Sequence, residues 1–340
     1  MMFIDAFFTN NPLWHEQIGK IYALLERVKI SEEQSKDVLH LRRNSRILSV
    51  GSTTAIEGNR LTVQQVFDVI NGKTVFASPH DIKEVKNAFS AYEQIIDLDP
   101  YSVDDFLKAH RFITDSLVQE SGQFRSVSVA VVNSKREILH SGADFKQVPA
   151  LVAALLEWGK ATDTHPLIKS SAMHFMIEHI HPFRDGNGRI GRLWQTLILT
   201  KWHEIFAWLP VETMIYHHQA KYYDALQRSH HKNGTVDGLP FIDFMLDVIE
   251  NAMYRYVDME TGTNIPANDP ANTVSDPAND PVNSFDVLEW IRIDPHINYD
   301  KLVVKTGRSR ATIKRMIQRL KQEGYISRIG SDKTGYWKIN

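Results

Sequence analysis

The run His181–Arg192, HPFRDGNGRIGR, constrains this chain more than any other segment. Ahead of it, Ile168, Ala172, Phe175, Met176 and Ile180 recur at helical spacing. Behind it, Ile190, Leu193, Leu197 and Ile198 do the same. Pro182 and the Asp185-Gly186-Asn187-Gly188 run interrupt both periodicities. The segment is expected to fold as helix, tight loop, helix, with Gly188 at the start of the second helix. Free N–H groups and the helix dipole there favour an anion. Gly186 and Gly188 let phosphate oxygens approach the backbone without a Cβ in the way. Arg189 and Arg192 share nearly one helix face and can converge on a polyanion. Asp185 is a hard oxygen ligand suited to Mg²⁺ shared with phosphates. His181 is placed to take a proton from an incoming hydroxyl. Phe183 reads as an apolar plug beneath the loop.

Several chemistries are excluded. The chain has no Cys, so no thiol attacks. No Gly-Lys-Ser/Thr follows a strand, so the loop is not of the Walker type. His179 and His181 diverge on a helix and no Cys or His quartet accompanies them, so the motif does not read as a zinc site.

The run resembles the signature of the Fic-domain family, HPFx[DE]GNGRxxR, at every specified position, and Ala172, His174 and Ile180 resemble the helix leading into it. The resemblance implies a mainly α, Fic-type helical domain that transfers AMP from ATP to a hydroxyl of a target protein. It implies His181 as base and Asp185 as Mg²⁺ ligand. Asn187 and the Gly186 and Gly188 backbone would hold the phosphates. Arg189 would grip the β-phosphate region and Arg192 the γ-phosphate.

A second segment, Thr53-Thr54-Ala55-Ile56-Glu57-Gly58-Asn59, ends a helical stretch expected to start at Ser31, where Ser31 and Gln34 form a capping-box pattern. A glutamate sits poorly near a helix C-terminus, which hints that Glu57 has a partner. The segment resembles the family's inhibitory [ST]xxxE[GN] motif. That implies Glu57 pairs with Arg192, competes with the γ-phosphate and holds ATP unproductively. The same glutamate serves de-AMPylation in some relatives, an alternative left open.

Val127–Val132 and Arg136–His140 are the clearest strands, with Asn133-Ser134-Lys135 as their turn. They resemble the family's flap, a small β-hairpin whose edge aligns an extended target segment. Tyr222 and Tyr223 resemble the aromatic pair beyond the motif, with Tyr223 bordering the adenine. Where some relatives carry Asn, seven residues after the second Tyr, this chain has His230.

Of 340 residues, 43% are apolar and 24% charged, and the formal charge is −2, as in a soluble globular protein of more than one domain. No apolar run approaches the ~20 residues of a membrane span. The start carries Asp5 and no basic leader, against a signal peptide. The absence of Cys suits the cytoplasm. Thr62 with Gln65 should open one helix that Asn71-Gly72 closes, and Ser102 should open Val103–Leu117.

Four regions emerge: 1–95, helical with the inhibitory segment; 96–260, the catalytic core; 261–283, a Pro/Asn/Asp-rich linker carrying PANDPANTVSDPANDP; and 284–340. In the last, Phe285–Ile291, Tyr299–Lys305 and Arg310–Glu323 read as helices with a turn at Gly307. Tyr325–Ile329 and Gly335–Ile339 read as a hairpin. The pattern resembles a winged helix-turn-helix domain. It carries 12 Lys/Arg against 6 Asp/Glu, a net +6 that leaves −8 for the rest. Arg308, Arg310, Lys314, Arg315, Arg319 and Lys321 suggest a phosphate footprint on DNA. The expectation is an autoinhibited, self-modifying protein adenylyltransferase using Mg²⁺ and ATP. A nucleotide-sensing DNA-binding regulator and a transferase using UTP or another donor stay open, as does a homodimer.

Overall fold

The computed structural model describes residues 11–34, 38–132, 138–230, 236–261, 287, 290–291, 294–306, 310–322, 326–330 and 335–339. At its centre lie two helices joined by the short loop 181–186: α7 (Pro166–Ile180) and α8 (Asn187–Trp202). Both are buried on nearly every face, which marks central rather than surface helices. Their buried polar groups satisfy one another. Gln195 Nε2 donates to Ser171 Oγ, Ser171 Oγ donates to the Leu167 carbonyl, and Gln195 Oε1 lies 2.7 Å from His174 Nδ1. Trp194, fully buried, donates to the Pro100 carbonyl and meets Phe106 edge-on.

Around this pair the other helices form a shell. α1 (Pro12–Gln34) lies along α11 (Leu239–Thr261), where Trp14 Nε1 donates to Asp243 at 2.6 Å. α2 (Val38–Ile56) packs on α9 (Val211–His217), and Ser52 and Thr213 share a buried hydrogen bond. α3 (Val63–Ile70) opens with the expected Thr62–Gln65 capping box and closes at Asn71. α4 (Pro79–Gln94) packs on α5 (Val103–Thr114), whose N-cap is Ser102 as expected. α6 (Val148–Ala161) and α10 (Gln219–Ser229) complete the shell.

Several boundaries differ from the expected ones, among them the first flap strand, which starts at Ala130 rather than Val127. No helix starts at Ser31. α1 runs through 31–34 and the next helix opens at Val38. Ser-Glu-Glu-Gln contains no helix breaker, so a chain already helical continues through it; the capping pattern marks a start only where the preceding turn is not helical. α5 stops at Thr114 rather than Leu117, because Ser116 adopts a left-handed φ of 59°.

The hairpin consists of β1 (Ala130–Val132) and β2 (Ile138–Ser141), antiparallel, with Val131 opposite His140 and a register shift after Val131. Its expected turn, 133–135, lies outside the described residues. A second, smaller core gathers Val287, Ile291, Ile297, Leu302, Ile313, Met316, Ile317, Leu320, Ile326 and Trp337. Besides Val287, Ile291 and Ile297, which precede them, its residues come from α12 (Tyr299–Thr306), α13 (Arg310–Gln322) and the antiparallel hairpin β3 (Ile326–Ile329) and β4 (Tyr336–Ile339). Trp337 Nε1 closes it on the Ile297 carbonyl. The expected linker, most of the helix before Asp294, the Gly307 turn with Arg308, and 323–325 lie outside the described residues. No helix among the described residues is long and apolar enough to cross a membrane.

Trp14 anchors α1 through both packing and a hydrogen bond. Trp14→Ala should lower unfolding stability by about 3–5 kcal/mol, read from urea denaturation followed by circular dichroism.

Candidate functional site

His181 ends α7 as its C-cap, at φ 54° and ψ 61°, a left-handed conformation that costs a non-glycine residue ~1–2 kcal/mol. The surroundings hold it there. Arg125, buried in the segment before the hairpin, donates from Nε to the His181 carbonyl at 2.7 Å. Its other nitrogens reach the Val127, Ala143 and Ile180 carbonyls, and its own N–H bonds the Pro182 carbonyl. One guanidinium thus ties the loop to the base of the hairpin. The imidazole lies 3.3 Å from the Glu178 carbonyl through Nδ1. A carbonyl only accepts, so Nδ1 carries the proton and Nε2 keeps a free lone pair. Burial pushes His181 down to about 4, against the pull of the Glu178 carbonyl, so it is neutral at pH 7.

The loop is braced from below. Phe183 is fully buried and stacks on His110 with centroids 3.6 Å apart. His110 accepts from the Gly122 N–H at Nδ1 and donates from Nε2 to the Asp185 carbonyl. Asn187 clamps the loop across its width: its Oδ1 accepts from Phe183 N–H and its Nδ2 donates to the Phe183 carbonyl, both at 2.9 Å. Its side chain is therefore spent on the loop. Gly186, at φ 84°, is the N-cap of α8, and a Cβ there would press on Thr114 and His110.

At the start of α8 the charges gather. Arg192 is buried; its Nε donates to Thr53 Oγ1 at 2.9 Å, and its Nη2 to Glu57 at 2.6 Å and to the Thr53 carbonyl. The Glu57 carboxylate fills the space a Cβ on Gly188 would take. Burial works against the charge of Arg192, but Glu57, Tyr222 and Glu178 outweigh it and raise its pKa. Arg192 Nη1 is buried without an acceptor among the described residues and lies 3.1 Å from the same Gly188 position. Arg189 pairs elsewhere. Its Nη1 meets Glu84, a buried residue of α4 that also accepts from Asn59, and its Nη2 meets Asp185 at 3.1 Å. The two arginines are thus held by separate carboxylates rather than by a common partner.

Asp185 is the exposed member of the group, with its side chain 59% accessible. It borders a cleft of about 420 Å³ with His110, Val118, Gln119, Glu120 and Arg184. Its protein contacts, Gly186 N–H and Arg189, both fall on Oδ1. A hard, accessible carboxylate beside a helix N-terminus fits a divalent cation shared with phosphates. Tyr223 is half exposed, and its hydroxyl donates to the Ile56 carbonyl at the end of α2. Tyr222 is buried, its hydroxyl between His174 and Glu178, and burial raises Glu178 to about 7 despite Arg192. Arg125, Glu84, Glu178 and His110 escaped the sequence reading. Each acts across 55 to 105 residues of chain or through a backbone carbonyl, which no local pattern displays.

A family model described as Fic/DOC family matches residues 100–199. The structure of a Fic family protein from Desulfovibrio desulfuricans is 32% identical, with a TM-score of 0.69, over 98% of this chain and 97% of that one. Protein adenylyltransferase fic-1 of Caenorhabditis elegans is 26% identical over 237 residues, 66% of this chain and 44% of that protein. Protein adenylyltransferase Fic of Nematostella vectensis is 23% identical over 282 residues, 74% of this chain and 62% of that protein. The chain thus spans about half the length of the curated relatives it matches.

Burial holds His110, His174, His179, His181 and His230 near 3 to 4 in the folded chain, below the ~6.5 of an unfolded imidazole. Between those values the unfolded state binds more protons, so stability falls as pH falls. The melting temperature should begin to drop below about pH 6.5, before the carboxylates titrate. A flat profile from pH 7 to 5 would contradict this assignment of neutral buried imidazoles.

Proposed function

The chain belongs to the Fic/DOC family, and we propose that it transfers AMP from ATP to a side-chain hydroxyl of a protein, with Glu57 as a built-in inhibitor. The observation that carries this reading is the position of Glu57. Its carboxylate stands over Gly188 at the N-terminus of α8 and takes 2.6 Å contact with Arg192. A helix N-terminus with a buried arginine is an anion site, and a carboxylate filling it is what a phosphate must displace.

In this reading the target hydroxyl oxygen bonds to the α-phosphorus while the bond to the leaving pyrophosphate breaks. The hydroxyl proton passes to His181 Nε2, whose free lone pair follows from the Glu178 contact at Nδ1. Arg125 holds the left-handed turn that sets the ring. Arg192 and Arg189 meet the charge of the phosphates, Arg192 with its unused Nη1 and Arg189 by exchanging Glu84 or Asp185 for an anion. Gly186 and Gly188 give the backbone access, and Asn187 keeps the loop in shape through Phe183. Asp185 would hold Mg²⁺, which when bound neutralises phosphate charge. Tyr223, beside the end of α2, borders the place for the base, and the hairpin would align the target strand.

The distinct core around Trp337 supports the division into 1–95, 96–260, 261–283 and 284–340, a catalytic unit joined to a winged-helix-like module. The +6 charge of 284–340 supports DNA as that module's partner. Within it Arg310 pairs with Asp300, so α13 does not offer every cation to phosphate.

With Mg²⁺ and ATP, Glu57→Gly should acquire AMP at least about tenfold faster than wild type, read by intact mass; tenfold is ~1.4 kcal/mol of barrier. Adding His181→Ala should abolish the adduct while ATP still binds. Equal labelling of wild type and Glu57→Gly would sink the inhibitory assignment. In the Glu57→Gly background, Arg125→Ala should lower kcat by about 100-fold with little change in KM for ATP, because it displaces the base and not the nucleotide.

A further inference from the structure

Three histidines outside the catalytic constellation meet beside it. His140 lies in β2, His179 in the last turn of α7 and His230 at the C-cap of α10. The ring centroids are 4.1 Å apart for His140 and His230, 4.8 Å for His140 and His179, and 5.1 Å for His179 and His230. One ring nitrogen of each lies within 4.8 Å of those of the other two. We propose that His140, His179 and His230 bind one divalent transition-metal ion of the zinc class, tying the hairpin to the helical core two residues from His181.

The lone pairs are available. His140 Nε2 lies 2.7 Å from the His179 carbonyl, so that nitrogen carries the proton and Nδ1 is the free base. His230 Nδ1 lies 2.8 Å from the Leu226 carbonyl, so Nε2 is the free base. An imidazole N–H held by a backbone carbonyl while the other nitrogen stays free is the arrangement that orients metal-binding histidines. His230 Nε2 and His179 Nδ1 are both buried without a hydrogen-bond partner. An unmade bond at a buried polar atom is destabilising, so two in one cluster call for a shared acceptor of lone pairs. Burial lowers the pKa of all three imidazoles, against the pull of the His179 carbonyl for His140 and with neighbouring rings adding to it for His179 and His230, so a metal has few protons to displace.

The donor set selects the ion. Three imidazoles without carboxylate or thiolate suit Zn²⁺ and its neighbours and disfavour Mg²⁺ and Ca²⁺. Three protein ligands leave one tetrahedral position for solvent or a substrate atom. Zinc–nitrogen bonds of about 2.0–2.1 Å require the stacked rings to turn toward one centre. Two of them sit at element ends, His179 in the last turn of its helix and His230 at a cap. At the motif, His179 and His181 diverge and do not form a zinc site. The set that forms joins His179 to a strand and to a helix end brought in by the fold.

The test uses the full chain stripped with chelator and titrated with Co²⁺ alone, followed by displacement with Zn²⁺. The d–d absorption of tetrahedral Co²⁺ and calorimetry are the readouts, and neither depends on the transferase reading. Wild type should bind one equivalent. His140→Ala, His179→Ala and His230→Ala should each weaken binding by at least about 100-fold. His181→Ala and His80→Ala, the latter beside the other gathering of His, Asp and Glu at 80, 81 and 84, should leave it unchanged. Zn²⁺ should raise the melting temperature of wild type and not of His230→Ala. His230→Asn replaces the alanine variant if that fails to fold. Absence of a bound equivalent in wild type, or binding that survives substitution of any one of the three, overturns the proposal.

Discussion

The buried guanidinium of Arg192 is the constraint on which the site depends. It rises from the second turn of a helix enclosed by the core, where an unmatched charge is costly. Thr53 and Glu57 supply the match from the end of α2. Removing one partner of such a pair without replacing its charge typically costs about 3–5 kcal/mol. An anion arriving at α8 can replace it, and this is the physical ground for the proposed inhibitory role of the end of α2. The same contact explains why α2 belongs against the core: Ser52 and Thr213, Gln219 and the Ile56 carbonyl, and Tyr223 all fix the turn that presents Glu57.

A second constraint is dryness. The loop 181–186 is held by backbone carbonyls and by aromatic packing rather than by solvent-exposed side chains. Burial drives His181 and His110 to about 4, which leaves both neutral. For His110 neutrality is structural, because its Nδ1 accepts an N–H that a protonated ring would repel. For His181 it suits the proposed role of general base, which must be unprotonated before it acts. The strain at His181 is offset by Arg125, which converts several peptide carbonyls into a single clamp.

How much of this was legible in the sequence follows from the range of each interaction. The helix–loop–helix and its glycines could be anticipated because a compact motif encodes them, whereas the pairing of Glu57 with Arg192, 135 residues apart, was implied only by the resemblance to the family's inhibitory motif. The capping box at Thr62 and the N-cap at Ser102 were equally local. Ser31 misled, since its pattern is compatible with a helix interior. Arg125, Glu84 and Glu178 were invisible because their partners are distant or are peptide groups. The reading of Arg189 and Arg192 as convergent rested on helical spacing alone. Spacing cannot show that Glu84 and Glu57 draw them to different carboxylates. The His140, His179 and His230 cluster needed the hairpin and two helix ends in three dimensions.

In the proposed mechanism Glu57 stands where a phosphate belongs. Crystal structures of wild type and Glu57→Gly with Mg²⁺ and ATP test it most directly. The account predicts that the γ-phosphate contacts Arg192 in the variant and is kept from it by Glu57 in wild type. A γ-phosphate seated on Arg192 with Glu57 still paired to it, or an Arg192 untouched by phosphate in the variant, would contradict it.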